Sequence, residues 1–154
     1  MWIDEHCLRR RGYGIHSPML YRIVREAMMP RYIIGPDKEL YRALRDRHIG
    51  HRTATKLQNL FTTEHYAEWQ VDDFAGERGL TILTHSCTEE KLGEIVGKLS
   101  GCEGVVCATY PLWGFKRLSL CRELAHRHHS MSAEMPRMML FFSRHDLRKQ
   151  HIKF

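Results

Sequence analysis

The chain reads as an α/β protein: a helical N-terminal half, then a small mixed sheet in a Rossmann-like, three-layer fragment. Three observations predict this class. Leu80-Thr-Ile-Leu-Thr84 and Gly104-Val-Val-Cys-Ala-Thr-Tyr110 are short apolar runs on either side of an amphipathic run, Thr88 to Leu99. That order is the signature of a parallel β-α-β unit. Before it, apolar residues recur at three- and four-residue spacing, as on one face of a helix. After it, two strand-like runs flank Pro136-Arg137 and predict an antiparallel hairpin, although Pro-Arg is not a favoured hairpin turn. The predicted sheet therefore has two parallel strands followed by antiparallel ones.

With 154 residues, one domain is expected, with a helical part over 1–72 and a β-α-β-α-β-β part over 80–154. A hydrophobic fraction of 43% and a charged fraction of 27% are ordinary for a globular protein and exclude a disordered chain. No apolar run approaches the roughly 20 residues that span a bilayer. The start, Met1-Trp-Ile-Asp-Glu-His6, lacks the basic-then-apolar order of a signal peptide. A cytoplasmic protein with no membrane partner is the expectation. Cys7, Cys87, Cys102, Cys107 and Cys121 form no Cys-x-x-Cys pair, so they read as reduced thiols rather than a disulfide framework or a zinc site.

The net charge of +6 is unevenly spread. Residues 1–50 carry ten basic against six acidic side chains, residues 51–111 five against nine, and residues 112–154 nine against three. Basic ends of this kind allow an anionic or nucleic-acid partner. No nucleic-acid motif accompanies them, and solvated helix faces explain the charge as well.

The first helix is predicted from Ser17-Pro18, where Ser17 caps and Pro18 suits the first helical position. Leu20, Ile23, Val24, Ala27 and Met28 form its buried stripe, and Pro30 stops it. A second helix is expected from Pro36 to Gly50, with Asp37 and Glu39 at its positive end and Leu40, Ala43 and Leu44 inward. A third runs from about Thr53 to Phe61, with Leu57, Leu60 and Phe61 inward, and Glu64 to Val71 extends the helical region. Asp72 to Gly79 is read as a polar loop entering the first strand.

In the β-α-β helix, Leu92, Ile95, Val96 and Leu99 face the sheet. Gly93, Gly97 and Gly101 recur every four residues. Each glycine inside a helix costs about 1 kcal/mol against alanine, which predicts either close approach of another backbone or mere tolerance. Pro111 then opens a long helix, Leu112 to His128, with Phe115, Leu118, Cys121, Leu124 and Ala125 inward. Met131–Met135 and Met138–Ser143 are the hairpin strands, and Gln150 to Phe154 is a last edge strand.

Two terminal segments carry a resemblance. Gly12-Tyr-Gly-Ile-His-Ser-Pro-Met-Leu-Tyr21 and Met139-Leu-Phe-Phe-Ser-Arg-His-Asp-Leu-Arg-Lys-Gln-His-Ile-Lys-Phe154 resemble the opening and closing segments of a family of small class I S-adenosylmethionine-dependent methyltransferase-like proteins. The order strand, helix, strand, helix, hairpin between them resembles the second half of a methyltransferase sheet. In such enzymes an acidic, glycine-rich turn after the first strand wraps the cofactor, and a later carboxylate holds its ribose. Here no Gly-x-Gly follows a predicted strand. Asp73-Phe-Ala-Gly76 echoes an Asp-x-Gly motif but precedes the first predicted strand, and Ala108-Thr109-Tyr110 stands where the family tends to place an acidic pair. The resemblance implies a shortened relative without the cofactor half, with no S-adenosylmethionine-binding residue carried over.

Candidate sites follow from the topology. Ligands of open α/β sheets bind at the carboxyl ends of parallel strands, which places His85, Ser86, Cys87 and Thr88 beside Thr109 and Tyr110. A thiol near a helix start can act as a nucleophile with a histidine base. Thr88 as a helix cap and Cys87 as packing is the simpler reading. Arg10, Arg11, Tyr13 and His16 form a candidate anion site in the basic entry to the first helix. His126, His128 and His129 crowd a helix end without the spacing of metal ligands. No catalytic and no metal residue is assigned. The expectation is a methyltransferase-like binding or assembly module, a pseudoenzyme, acting as a homo-oligomer such as a dimer or with a protein partner. The alternatives are a methyltransferase with a divergent or shared cofactor site, and anion or nucleic-acid binding through the basic ends.

Overall fold

The structure, a computed structural model, describes residues 17–154. It is an α/β fold with a six-stranded mixed sheet. The chain divides into two compact units, one ending at His65 and the other spanning Tyr66–Lys153.

The first unit is helical. Helix α1, Pro18–Ile23, starts where Ser17 Oγ accepts the Leu20 N–H at 3.3 Å, and it continues as a π-helical turn over Val24–Met28. The predicted stripe is inside: Leu20, Ile23, Val24 and Ala27 are buried. Helix α2, Glu39–Asp46, is shorter than the expected span from Pro36 to Gly50. It ends because His48 takes a left-handed conformation, φ 63°, which breaks the helical repeat.

Helix α3, His51–Thr63, carries two buried amides that hold the rest of the unit. Asn59 Oδ1 accepts the Ile34 N–H at 2.8 Å while its Nδ2 donates to the Tyr32 carbonyl at 3.0 Å. Gln58 Oε1 accepts the Tyr41 N–H at 2.9 Å. Backbone groups of the connecting loop and the first turn of α2 are thereby satisfied without regular structure, as burial requires. Arg22 closes the unit with a forked ion pair to Glu64 at 2.8 Å.

The helical extension over Glu64 to Val71 is corrected. His65 turns left-handed, φ 55°, and Trp69–Val71 forms strand β1. Trp69 and Val71 are β-favouring residues two apart, and pairing with Leu80 and Ile82 outweighs helix continuation. Strands β2, Gly79–Leu83, and β3, Gly104–Thr109, follow in parallel, joined by helix α4, Glu89–Lys98. Helix α5, Phe115–Arg127, leads to β4, Met131–Met135, β5, Met138–Ser143, and β6, Gln150–Lys153.

The sheet order is β1-β2-β3-β5-β4-β6. Three strands rather than two are parallel on one side. Strand β5 is antiparallel to β3 and β4, and β6 runs parallel to β4. The predicted hairpin is present, with Met135 opposite Met138. Its Pro-Arg turn works because Arg137 accepts φ 67°, the sign a type II turn needs after a proline. Leu92, Ile95, Val96 and Leu99 of the β-α-β region are buried against Val106, Ala108, Met139 and Phe141 of the sheet.

One further alternative is decided and one expectation changes. An added Cβ at Gly93, Gly97 or Gly101 would meet nothing within 4 Å, so no neighbouring backbone explains these glycines and they are tolerated. The helix expected from Leu112 begins only at Phe115, because Pro111 to Gly114 closes a turn, Gly114 N–H donating to the Pro111 carbonyl at 2.9 Å. Phe115, its first residue, is 66% exposed, and Arg117 takes an inward place in the row of Cys121 and Ala125.

Candidate functional site

The carboxyl ends of β2 and β3 are built around Arg117. Its residue is 8% exposed, and its guanidinium donates only to backbone carbonyls. Nε reaches Thr109 at 2.8 Å, Nη1 reaches Cys87 at 3.0 Å, and Nη2 reaches Thr84 at 2.6 Å and Leu83 at 3.2 Å. Thr109 Oγ1 also donates to the Leu83 carbonyl at 3.2 Å. Strand ends present carbonyls that lack ladder partners, and burial makes each of them costly to leave unmatched. One fork of five donors, which stays charged at any working pH, satisfies four.

The predicted site residues are brought to this region, but in structural roles. The turn Thr84-His85-Ser86-Cys87 is closed by Cys87 N–H on the Thr84 carbonyl at 3.0 Å. His85 and Ser86 are exposed, and no hydrogen bond links the imidazole to the Cys87 thiol among the described residues. The thiol donates to the Thr88 carbonyl at 3.5 Å. Burial pushes its pKa up, and Arg117 only partly opposes this, so the thiolate that nucleophilic chemistry needs is disfavoured. Thr88 caps α4 by accepting the Lys91 N–H at 3.2 Å.

Tyr110 is a clamp on the hairpin. Its hydroxyl lies 3.1 Å from the Met135 carbonyl and 3.3 Å from that of Met138, and its N–H donates to the Arg137 carbonyl at 3.0 Å. Burial raises its pKa, with the Glu134 charge adding to the effect. Arg10, Arg11, Tyr13 and His16 lie outside the described residues, as do Cys7 and most of the first resemblance segment.

The acidic turn stands differently from its reading in sequence. Because β1 precedes it, Asp72-Asp-Phe-Ala-Gly76 does follow a strand. Only seven residues, 72–78, connect the parallel strands β1 and β2. Parallel neighbours ordinarily need a crossover of a dozen residues or more. The short return works because β1 has three residues and the loop folds onto itself. Asp72, with φ 61°, accepts Thr84 N–H at 2.7 Å and Thr84 Oγ1–H at 2.6 Å on its carboxylate. Thr81 Oγ1 accepts the Ala75 N–H at 2.9 Å. A Cβ at Gly79 would sit 2.6 Å from Ala75 Cβ, so only glycine admits this close return.

The histidine cluster is also structural. His128 Nε2 lies 2.6 Å from the Phe142 carbonyl, which can only accept, so Nε2 carries the proton. Burial lowers its pKa, partly offset by that hydrogen bond. His129 Nε2 meets Ser143 Oγ at 3.1 Å, and Ser143 donates onward to Leu99. No group of three or more metal-ligating side chains occurs among the described residues.

Arg117 is the residue that the sequence reading missed. A signal existed: Cys121 and Ala125 are four apart, and one step back along that row lands on residue 117. Fold and site together define an α/β protein whose parallel strand ends are closed by an internal arginine. No protein-family model, curated protein or solved structure matches the chain.

Proposed function

We propose that this protein is a methyltransferase-like α/β binding or assembly module that does not itself catalyse. One observation carries the reading. Arg117 spends its guanidinium on the Leu83, Thr84, Cys87 and Thr109 carbonyls, at the strand ends where a ligand of this architecture would bind. The seven-residue return between β1 and β2 supports it as well, since it leaves no helix start facing the β1 end. Beside the arginine, Leu112, Trp113 and Phe115 are 59%, 78% and 66% exposed, and the two aromatic rings meet edge to face. Apolar side chains displayed together favour a protein partner, a second copy being the simplest.

Isothermal titration with S-adenosylmethionine tests the reading. No saturable heat is expected, and micromolar binding overturns it. Light scattering tests the assembly: a dimer is expected, and Trp113→Ser should dissociate it, whereas a wild-type monomer removes the self-assembly part.

A second reading is favoured by Asp72-Asp-Phe-Ala-Gly76 standing directly after β1. There the chain would be a methyltransferase with a divergent or shared cofactor site, and the same titration separates the two. Binding through the basic ends is a third reading, read out by salt-dependent retention on heparin.

A further inference from the structure

Leu112, Trp113 and Phe115 stand on one turn, and that turn is fixed before any partner arrives. Gly114 N–H donates to the Pro111 carbonyl at 2.9 Å, and the Gly114 carbonyl accepts the Leu118 N–H at 2.9 Å, tying the turn into α5. A Cβ at Gly114 would lie 3.0 Å from Pro111 Cδ and 3.1 Å from Tyr110 Cβ, so a larger residue would push the turn open. The Trp113 and Phe115 rings meet edge to face with centroids 6.5 Å apart. An apolar anchor ordered in advance loses little conformational freedom on binding, which favours aromatic residues at the centre of interfaces.

The apolar patch is too small to hold a partner by itself. At their exposures the three side chains offer on the order of 400 Å² per copy. A stable interface takes about 800 Å² from each side. The charged rim therefore has to lie inside the contact, and that rim carries both signs. Lys116 follows Phe115, and Glu89, at the start of α4, has Oε1 3.5 Å from Lys116 Nζ. Glu90 is the next residue along, and all three charged residues are exposed. An anionic lipid or nucleic-acid surface seated on the patch would be pressed against two carboxylates. A second copy related by a two-fold axis presents the same patch with both signs available, so each cation can face the other copy's carboxylate.

We infer that two copies associate about a two-fold axis beside Trp113, with Leu112, Trp113 and Phe115 of one copy packed on those of the other, and Lys116 of each copy paired with Glu89 of the other. The inference rests on the self-assembly reading above and adds its symmetry and its charge pairing. An exposed ion pair contributes little to the stability of a single copy, so the Lys116–Glu89 contact is readily exchanged for its equivalent across the axis.

The test uses the full chain with the charges reversed one at a time. K116E places like charges opposite each other twice in the two-fold dimer, and so does E89K. Each variant alone should dimerise about tenfold or more weakly than wild type, read by light scattering across a dilution series. Mixed in equal amounts, the two should form a dimer with one chain of each, within about threefold of wild-type affinity, because every reversed charge then meets an opposite one across the axis. The pair inside each copy stays broken in that mixture, so only exchange across the axis restores binding. A second measurement needs no variant and decides the matter if either variant loses its helical circular dichroism. Carbodiimide coupling of mixed isotope-labelled and unlabelled wild-type chains should give Lys116–Glu89 peptides that join the two kinds of chain. A wild-type dimer whose single variants dimerise as tightly, or whose mixture fails to recover, overturns the inference and leaves the self-assembly reading standing. Coupled peptides that never join the two kinds of chain do the same. A wild-type monomer overturns both.

Discussion

Arg117 Nη2 donates to the Thr84 carbonyl at 2.6 Å, tying α5 to the end of β2, 33 residues earlier in the chain. The same guanidinium holds Thr109 at the end of β3, so one side chain joins a helix and the exits of two parallel strands. Helix packing against a sheet is usually apolar. Here its anchor is a charge surrounded by carbonyl dipoles.

Arg117→Met removes the charge and takes a donor from four carbonyls, of which Leu83 keeps the Thr109 hydroxyl and Thr84 keeps the Cys87 N–H, so those of Cys87 and Thr109 lose the donor described for them. A buried acceptor left without a donor costs about 1–3 kcal/mol. Urea unfolding should show a lower midpoint and an unfolding free energy reduced by at least that amount. Arg117→Lys should recover little, since an ammonium has no planar fork. Wild-type stability in Arg117→Met would remove the structural role.

Gly93 and Gly97 have open space where a Cβ would stand, and both lie within α4. Alanine at either site should stabilise by roughly 0.5–1 kcal/mol through helix propensity. Thermal melts of Gly93→Ala, Gly97→Ala and the double variant check this, with near-additive gains expected. A loss would show that something packs on this face of α4.

Acid should weaken the fold through His128. Its pKa lies below the ordinary histidine value, so the unfolded chain binds its proton more readily than the native one. Stability then rises with pH, and the contribution is lost as pH falls below about 6.5. Chemical denaturation between pH 8 and pH 5 should show the slope. His128→Gln can still donate to Phe142 and should flatten it.

Glu134 adds a second, more acidic transition. Burial alone would raise its pKa, but hydrogen bonds and charge from Arg122, with Oε1 2.6 Å from Nη2, and the Lys153 charge outweigh it and hold it below the ordinary glutamate value. A depressed carboxylate contributes stability above about pH 4.3 and loses it as pH falls. Glu134→Gln should lower stability at pH 7 and narrow the gap to wild type below pH 4, measured by the same denaturation series.

Tyr110→Phe keeps the ring and deletes the hydroxyl shared by the Met135 and Met138 carbonyls. A loss of about 1 kcal/mol is expected, with the largest rise in amide exchange at the hairpin turn. Unchanged exchange there would argue that the turn holds itself.

The β-α-β unit was legible because Leu80–Thr84, Thr88–Leu99 and Gly104–Tyr110 each keep the period of their element. Thr88 as cap, the hairpin and the last edge strand were legible for the same local reasons. Strand β1 was not: three residues are too few for a period, and Trp69–Val71 becomes a strand only by pairing with β2. The site suffered a different failure. Phe115 has the composition of a core residue and Arg117 that of a surface residue, yet Arg117 shares the buried row of Cys121 and Ala125, and Phe115 stands exposed at the first position of the helix.

By itself, the sequence determined what short-range chemistry dictates: an α/β chain, the faces of α1 and α4, the helix caps and the antiparallel closing hairpin. Tertiary structure alone decided the third parallel strand, the seven-residue return over Gly79 and the inward turn of Arg117. The reason is physical. Periodicity and capping act over a few residues, whereas strand partners, buried charges and clefts depend on groups that only the folded chain brings within hydrogen-bonding or Coulombic reach.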